Sequence, residues 1–198
     1  MDRRAFLTSL ALAPGAPAFA RMTDLPLSPL PEGADPSAVA GLSWRGSGRA
    51  AIEIFDYNCP YCRAAFQALD PLVAKNRLRL GLMDSPQLSA GSVQAAKIRQ
   101  AMLILVGLDE AYQFHRRLSL WKGAIDGETG LAVAEESGLN ATKVIDQANG
   151  QEVLDRIIAQ ARFLDRLGVS TTPSFIVGAK LLSGWPGLQA FGEALKAK

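Results

Sequence analysis

The only two cysteines of this 198-residue chain lie three residues apart, in Cys59-Pro60-Tyr61-Cys62. Two thiols at that spacing can pass electrons as a dithiol and a disulfide, provided that one of them is a ready nucleophile. The flanking residues make Cys59 that one. Before the pair runs Ala50-Ala51-Ile52-Glu53-Ile54-Phe55-Asp56, short and mostly apolar, which reads as a buried strand. After it runs Arg63-Ala64-Ala65-Phe66-Gln67-Ala68-Leu69, which reads as a helix, and Pro60 suits the first turn, where a missing N–H costs nothing. Cys59 then sits at the strand–helix junction, where free N–H groups and the positive end of the helix dipole favour thiolate over thiol. It is expected to stand exposed and attack. Cys62, one turn later, is expected to attack the sulfur that Cys59 has engaged.

Other uses of the pair need more than the chain supplies. A zinc site takes about four ligands, and the sequence offers two Cys and one His, His115. A structural disulfide across so short a loop contributes about 2 kcal/mol, at the low end of the usual range. An inert pair is the third alternative. Strand, CxxC and helix in that order favour the redox reading, with no metal and no other cofactor.

Composition sets the frame. With 48% hydrophobic and 20% charged residues the chain can build one domain with its own core. A net charge of +2 implies neither a nucleic acid nor a membrane surface as partner. The first twenty residues differ in kind. Asp2-Arg3-Arg4-Ala5-Phe6-Leu7-Thr8 precedes the apolar Ser9-Leu10-Ala11-Leu12-Ala13, and Ala18-Phe19-Ala20 follows. That is the order of an export signal cleaved near Ala20, and its apolar run is too short to span a bilayer. Arg3-Arg4 suggests the twin-arginine route, and a general secretory signal is the alternative. A CxxC pair outside the cytosol can stay oxidised, so a periplasmic location fits.

Residues 21–45 hold Pro26, Pro29, Pro31, Pro36, Gly33 and Gly41 and read as an arm with no core of its own. Leu78 to Met83 reads as a second strand, which makes a βαβ unit with parallel strands. Pro71 is expected to kink or end the intervening helix. From about 87 to 167 the apolar spacing is helical throughout. Strands return at 174–177 and 179–182, with Gly178 alone between them as an antiparallel hairpin, and an amphipathic helix closes the chain from about Leu188 to Leu195.

Glu53-Ile54-Phe55-Asp56-Tyr57-Asn58-Cys59-Pro60-Tyr61-Cys62-Arg63 resembles the active-site segment of the DsbA-like thioredoxin-fold oxidoreductases. Leu167-Gly168-Val169-Ser170-Thr171-Thr172-Pro173-Ser174-Phe175-Ile176-Val177-Gly178 resembles that family's second conserved segment, about 110 residues on. Thr171 departs from it, since many members carry Gly there. The resemblance implies an α/β thioredoxin-like fold, βαβ then ββα, with an all-helical insertion domain. The chain then divides into an export signal at 1–20, an N-terminal arm at 21–47, a first thioredoxin-like half at 48–84, the insertion at 85–167 and a second half at 168–198.

The same resemblance implies the site. Cys59 is the nucleophile of the redox-active disulfide and Cys62 the resolving cysteine. Thr172-Pro173 is a cis bond facing them, which leaves the Thr172 backbone free for a substrate strand, so that Pro60, Tyr61 and Thr172 touch substrate. Glu53 is the proton acceptor behind Cys62. On physical grounds alone Glu53 is a carboxylate among Ile52, Ile54 and Phe55, either a proton acceptor with a raised pKa or one half of a salt bridge at a strand end. His115, beside Arg116 and Arg117, reads as part of a solvated basic face. Trp121, Trp185 and Tyr61 either line a groove for unfolded chains or, for the tryptophans, fill the core. Partners would be unfolded or cysteine-containing exported proteins and a membrane redox partner, a quinone-linked oxidase or a reductase. The pair has no His between its cysteines, which argues for a mild oxidant. Oxidase, reductase or isomerase, and a chaperone-like binding module with no need of the cysteines remain the three readings.

Overall fold

The computed structural model describes residues 27–196, and the expected export signal lies outside the described residues. The βαβ unit is β3 (Arg49–Phe55), α1 (Pro60–Ala74) and β4 (Leu78–Asp84), with β3 and β4 parallel and Ala51 opposite Leu80. β5 (Ser174–Val177) lies antiparallel on the other side of β3, and β6 (Lys180–Ser183) antiparallel to β5. Two residues, Gly178 and Ala179, make the hairpin turn, and Gly178 takes the positive φ of 59° that the turn needs.

Residues 27–45 are not an arm. β1 (Leu27–Pro29) pairs antiparallel with β6 and β2 (Ser43–Arg45) antiparallel with β4. Among the described residues this makes a six-stranded sheet in the order β1-β6-β5-β3-β4-β2. Leu30, Ala34, Val39 and Leu42, between the two edge strands, pack with Phe163 and Leu164 over Ile52, Ile54, Met83, Ile176 and Leu181. Strands of three residues carry too little alternation to read, and prolines and glycines between them mask the rest.

The other face of the sheet carries Ala51, Phe55, Leu80, Leu82 and Phe175, and α1 covers it with Cys62, Ala65, Phe66, Leu69 and Val73. Pro71 does not break α1, which runs on to Ala74. It closes with Asn76 at φ 55°, where Arg77 N–H donates to Leu72 O at 2.8 Å and Asn76 N–H to Val73 O at 3.0 Å. The helical stretch forms α2 (Ala90–Leu105), α3 (Gly107–Leu120), α4 (Gly127–Glu135), α5 (Ala141–Ala148) and α6 (Gln151–Arg166), and α7 (Leu188–Lys196) follows the hairpin.

A buried polar knot ties these helices to the sheet. Arg99 of α2 is fully buried and donates to Asp84 Oδ2 at 2.6 Å, to Ser43 Oγ and to Leu82 O. Gln100 donates to the same Asp84 oxygen at 2.6 Å and to Gly41 O at 3.1 Å. Gln160 of α6 accepts from Asp84 N–H at 2.6 Å and donates to Ala40 O at 3.1 Å. Gly41 is needed beside them: its φ is 79°, and a Cβ there would lie 2.5 Å from Gln160 Nε2. Removing one member of a buried ion pair strands the other charge, at a cost of about 3–5 kcal/mol, whereas replacing both is close to neutral. Arg99→Met is therefore expected to lose about that much in urea unfolding, and Arg99→Met with Asp84→Leu to recover most of it. An equal loss in the double variant would locate the cost in packing rather than in charge.

Candidate active site

The turn between β3 and α1 is held from outside itself. Asp56 Oδ1 accepts from Asn58 N–H at 2.7 Å and Ser92 Oγ at 2.6 Å, and Oδ2 accepts from Gln87 N–H at 2.8 Å and Leu88 N–H at 2.9 Å. Asn58 accepts from Ile125 N–H and donates to Ile125 O, each at 2.8 Å. The start of α2 and the α3–α4 connection thus fix the turn that presents Cys59. These residues were not singled out from the sequence, although Asp-x-Asn ahead of a helix is a turn signature.

Cys59 is the N-cap of α1, and its Sγ accepts from Cys62 N–H at 3.4 Å. In its thiol form Cys59 also donates to Thr172 O at 3.2 Å. The hydrogen bond shared with the Cys62 side chain does most to lower the Cys59 pKa, to about 6, and the Cys62 N–H, the Thr172 side chain and the Tyr61 N–H add to it against the effect of burial. Burial pushes the Cys62 thiol far up, and its hydrogen bond to Cys59 and the Glu53 charge act in the same direction. One sulfur is thus a thiolate at neutral pH and the other a thiol. Both cysteines are free and each exposes 3% of its surface, so Cys59 does not stand open as expected. The second conserved segment closes over it. Thr172-Pro173 is cis, Pro173 is buried, and the Thr172 carbonyl is turned to the Cys59 sulfur. Pro60 and Tyr61 are exposed.

Glu53 is fully buried, and among the described residues neither carboxylate oxygen has a hydrogen-bond partner. The salt-bridge alternative is thereby removed. Burial, followed by the Cys59 charge, raises its pKa to about 8. Glu53, Cys62, Tyr57, Phe66, His115 and Ser119 line one small internal space. His115 is not on a solvated face. It is 1% exposed, its Nδ1 hydrogen-bonds Tyr57 Oη at 3.0 Å, and its ring packs edge-on to Phe55 and Phe66 with centroids 4.5 and 4.4 Å away. Burial, helped by the Arg99 charge, holds its pKa well below the usual value, so the imidazole is neutral. Arg116 and Arg117 lie on the outer side of α3, while His115 is in register with the buried Ala111, Leu118 and Ser119.

Arg63 Nε donates to Tyr57 O at 2.7 Å, and its two terminal nitrogens donate to Trp121 O and Gly123 O, each at 2.9 Å. Trp121 is exposed at the end of this contact, whereas Trp185 packs with Phe175 and Phe191. Among the described residues no cluster of three or more His, Cys, Asp or Glu is placed to hold a metal ion. The arrangement is suited to one chemistry, the exchange of a disulfide through a stabilised thiolate and a buried partner thiol.

Comparisons agree with the geometry. A thioredoxin family model matches residues 44–197. The chain is similar to a thioredoxin-like oxidoreductase from Silicibacter pomeroyi DSS-3, with 30% identity, 82% of this chain and 92% of that chain covered, and a TM-score of 0.72. It shares its fold with the thiol-disulfide exchange protein alpha-DsbA2 from Wolbachia pipientis, at 24% identity, coverage of 78% and 86%, and a TM-score of 0.70. BdbD from Bacillus subtilis, in its oxidised form, has the same fold at 14% identity, coverage of 79% and 91%, and a TM-score of 0.68. No curated protein matches.

Two measurements check the electrostatics of the site. The rate of Cys59 alkylation, followed by mass spectrometry of the reduced protein, is expected to rise with a midpoint near pH 6 while Cys62 stays slow beyond pH 9. Equal rates for the two thiols would remove the asymmetry. Glu53 ionises near pH 4.5 in the unfolded chain and near pH 8 in the folded one, so between these values the folded protein holds the extra proton. Stability from this group therefore falls as pH rises through that window. Glu53→Gln is expected to match wild type near pH 4 and to exceed it at pH 8 by roughly 4 kcal/mol in urea unfolding.

Proposed function

This chain belongs to the thioredoxin family as a thiol–disulfide oxidoreductase with a DsbA-like fold, and on that premise we propose that it is an exported oxidase that forms disulfides in other exported proteins. The observation that carries the direction is the asymmetry of the pair, a Cys59 thiolate with a pKa of about 6 in front of a Cys62 thiol pushed up by burial. Stabilising the thiolate stabilises the reduced form, and a protein whose reduced form is stable is an oxidant. Related redox cysteines run from about 3.5 in a strong oxidant to about 7 in a reductant. Cys59 lies between, which supports a moderate oxidant.

In this reading the resting protein carries the Cys59–Cys62 disulfide. A substrate thiolate attacks Cys59 Sγ, a bond forms between the two sulfurs, and Cys62 leaves as a thiolate. Glu53, protonated up to about pH 8, is the group placed to return a proton to it. The substrate's second thiolate then attacks its own sulfur in the mixed disulfide. The substrate leaves with a disulfide, and Cys59 leaves as the thiolate that Cys62 N–H and the first turn of α1 stabilise. Both electrons now reside in the dithiol, and a quinone-linked membrane partner removes them. Thr172 and Pro173 border the mixed disulfide, and Pro60 and Tyr61 meet the substrate. Among the described residues no helix is long and apolar enough to cross a membrane. The signal-like start at 1–20 supports export to the periplasm.

The reverse direction, in which the dithiol reduces or rearranges substrate disulfides and a membrane reductant recharges it, uses the same groups. Equilibration with glutathione buffers separates the two. An oxidase is expected to give a potential between about −200 and −120 mV, whereas a value below about −250 mV would assign the reductase role.

A further inference from the structure

The two residues that flank the cysteine pair hold the same loop. Asn58, just before Cys59, closes a two-bond pairing with the backbone of Ile125. Arg63, just after Cys62, grips Trp121 O and Gly123 O with the two ends of its guanidinium fork while Nε holds Tyr57 O. Residues 121–125 are thus fixed to the turn that carries the sulfurs, at three residues in five. Every one of these contacts uses loop backbone. The Ile125 side chain is buried in the core and anchors that end of the loop, while the side chains ahead of it are left to solvent: Trp121 is 41% exposed, Lys122 is exposed, and Leu120, just before them at the end of α3, is 51% exposed. Gly123, at φ 107°, bends the chain two residues after Trp121.

An aromatic ring on a backbone held this firmly has little freedom left to lose when something covers it. What would cover it follows from the site. Cys59 is only 3% exposed and Thr172 lies against its sulfur, so a substrate sulfur reaches it only if the chain on both sides of that sulfur lies along the surrounding surface. Tyr61, 69% exposed in the first turn of α1, is one part of that surface, and Asn58 and Arg63, on either side of the cysteine pair, tie the 121–125 loop to the same turn.

We propose that residues 121–125 are a substrate-recognition element held in register with Cys59 by Asn58 and Arg63, and that they take an apolar side chain beside the reacting cysteine of an extended polypeptide. This rests on the exchange activity proposed above. Trp121 and Leu120 provide the contact area, and Arg63 acts as a positioning residue through the loop rather than on the sulfur.

The test uses the oxidised full chain and three dithiol probes: dithiothreitol, a peptide with Phe beside its reacting cysteine, and the same peptide with Ser there. The wild-type protein is expected to prefer the Phe peptide. Trp121→Ala is expected to lower the ratio of the two peptide rates about fivefold to tenfold. Arg63→Met, which frees the loop, is expected to lower it similarly, Arg63→Lys to behave like Arg63→Met because it lacks the fork, and the double variant with Trp121→Ala to add little. An unchanged ratio in Trp121→Ala, whose surface position spares the fold, would overturn the proposal even if Arg63→Met proved unstable. A wild-type protein that exchanges with none of the three probes would instead overturn the exchange reading, and the loop inference with it.

Discussion

A sulfur held as a thiolate at the first turn of a helix is the condition on which the rest of this structure depends. The hydrogen bond from Cys62 N–H to Cys59 Sγ exists only if Cys59 is the N-cap of α1, with extended backbone ahead of it. That in turn requires the three-residue turn from β3 to arrive at one angle. Asp56 sets the angle by accepting four hydrogen bonds, three of them from residues 87–92. The helical insertion is therefore part of the redox site and not an appendage to it. If α2 moved, the cap would move with it, and the cap decides which sulfur is charged.

The second requirement is the opposite one. Cys62 must stay a thiol, and Glu53 must stay dry enough to hold a proton. Burial does most of both, with the Cys59 charge acting in the same direction, and among the described residues neither Glu53 oxygen is given a hydrogen-bond donor. A lone carboxyl in such a place costs stability wherever it is ionised, and the fold offsets that cost with a well-filled front face and a covered back face. The cover on the back comes from residues 30–42 together with α6. The Arg99–Asp84 knot joins that segment to α2, α6 and β4, so cover, insertion and sheet are fixed against one another at one buried point.

His115 shows how far an apolar surrounding can quiet a titratable group. Between Phe55 and Phe66, with Tyr57 on Nδ1, the imidazole is a neutral packing and hydrogen-bonding element. Its neighbours Arg116 and Arg117 keep the charge on the solvent side, where it costs little to hydrate.

What the sequence by itself determined was local in origin. The Cys59-Pro60-Tyr61-Cys62 motif between a strand and a helix, the capping role of Cys59, the helical spacing from 87 to 167 and the late hairpin all rest on neighbours within a few residues. A short apolar run or a proline at a first turn has much the same meaning in any fold. Only the tertiary structure decided the rest. β1 and β2 have no period of their own and exist because β6 and β4 offered unpaired edges. Whether Glu53 had a partner, which way His115 faced, how closed Cys59 was, and that Arg63 would hold Trp121 and Gly123 about 60 residues away all depend on elements far apart in the chain. Burial and hydrogen bonding across such separations are properties of the packed whole, and no window of sequence contains both partners.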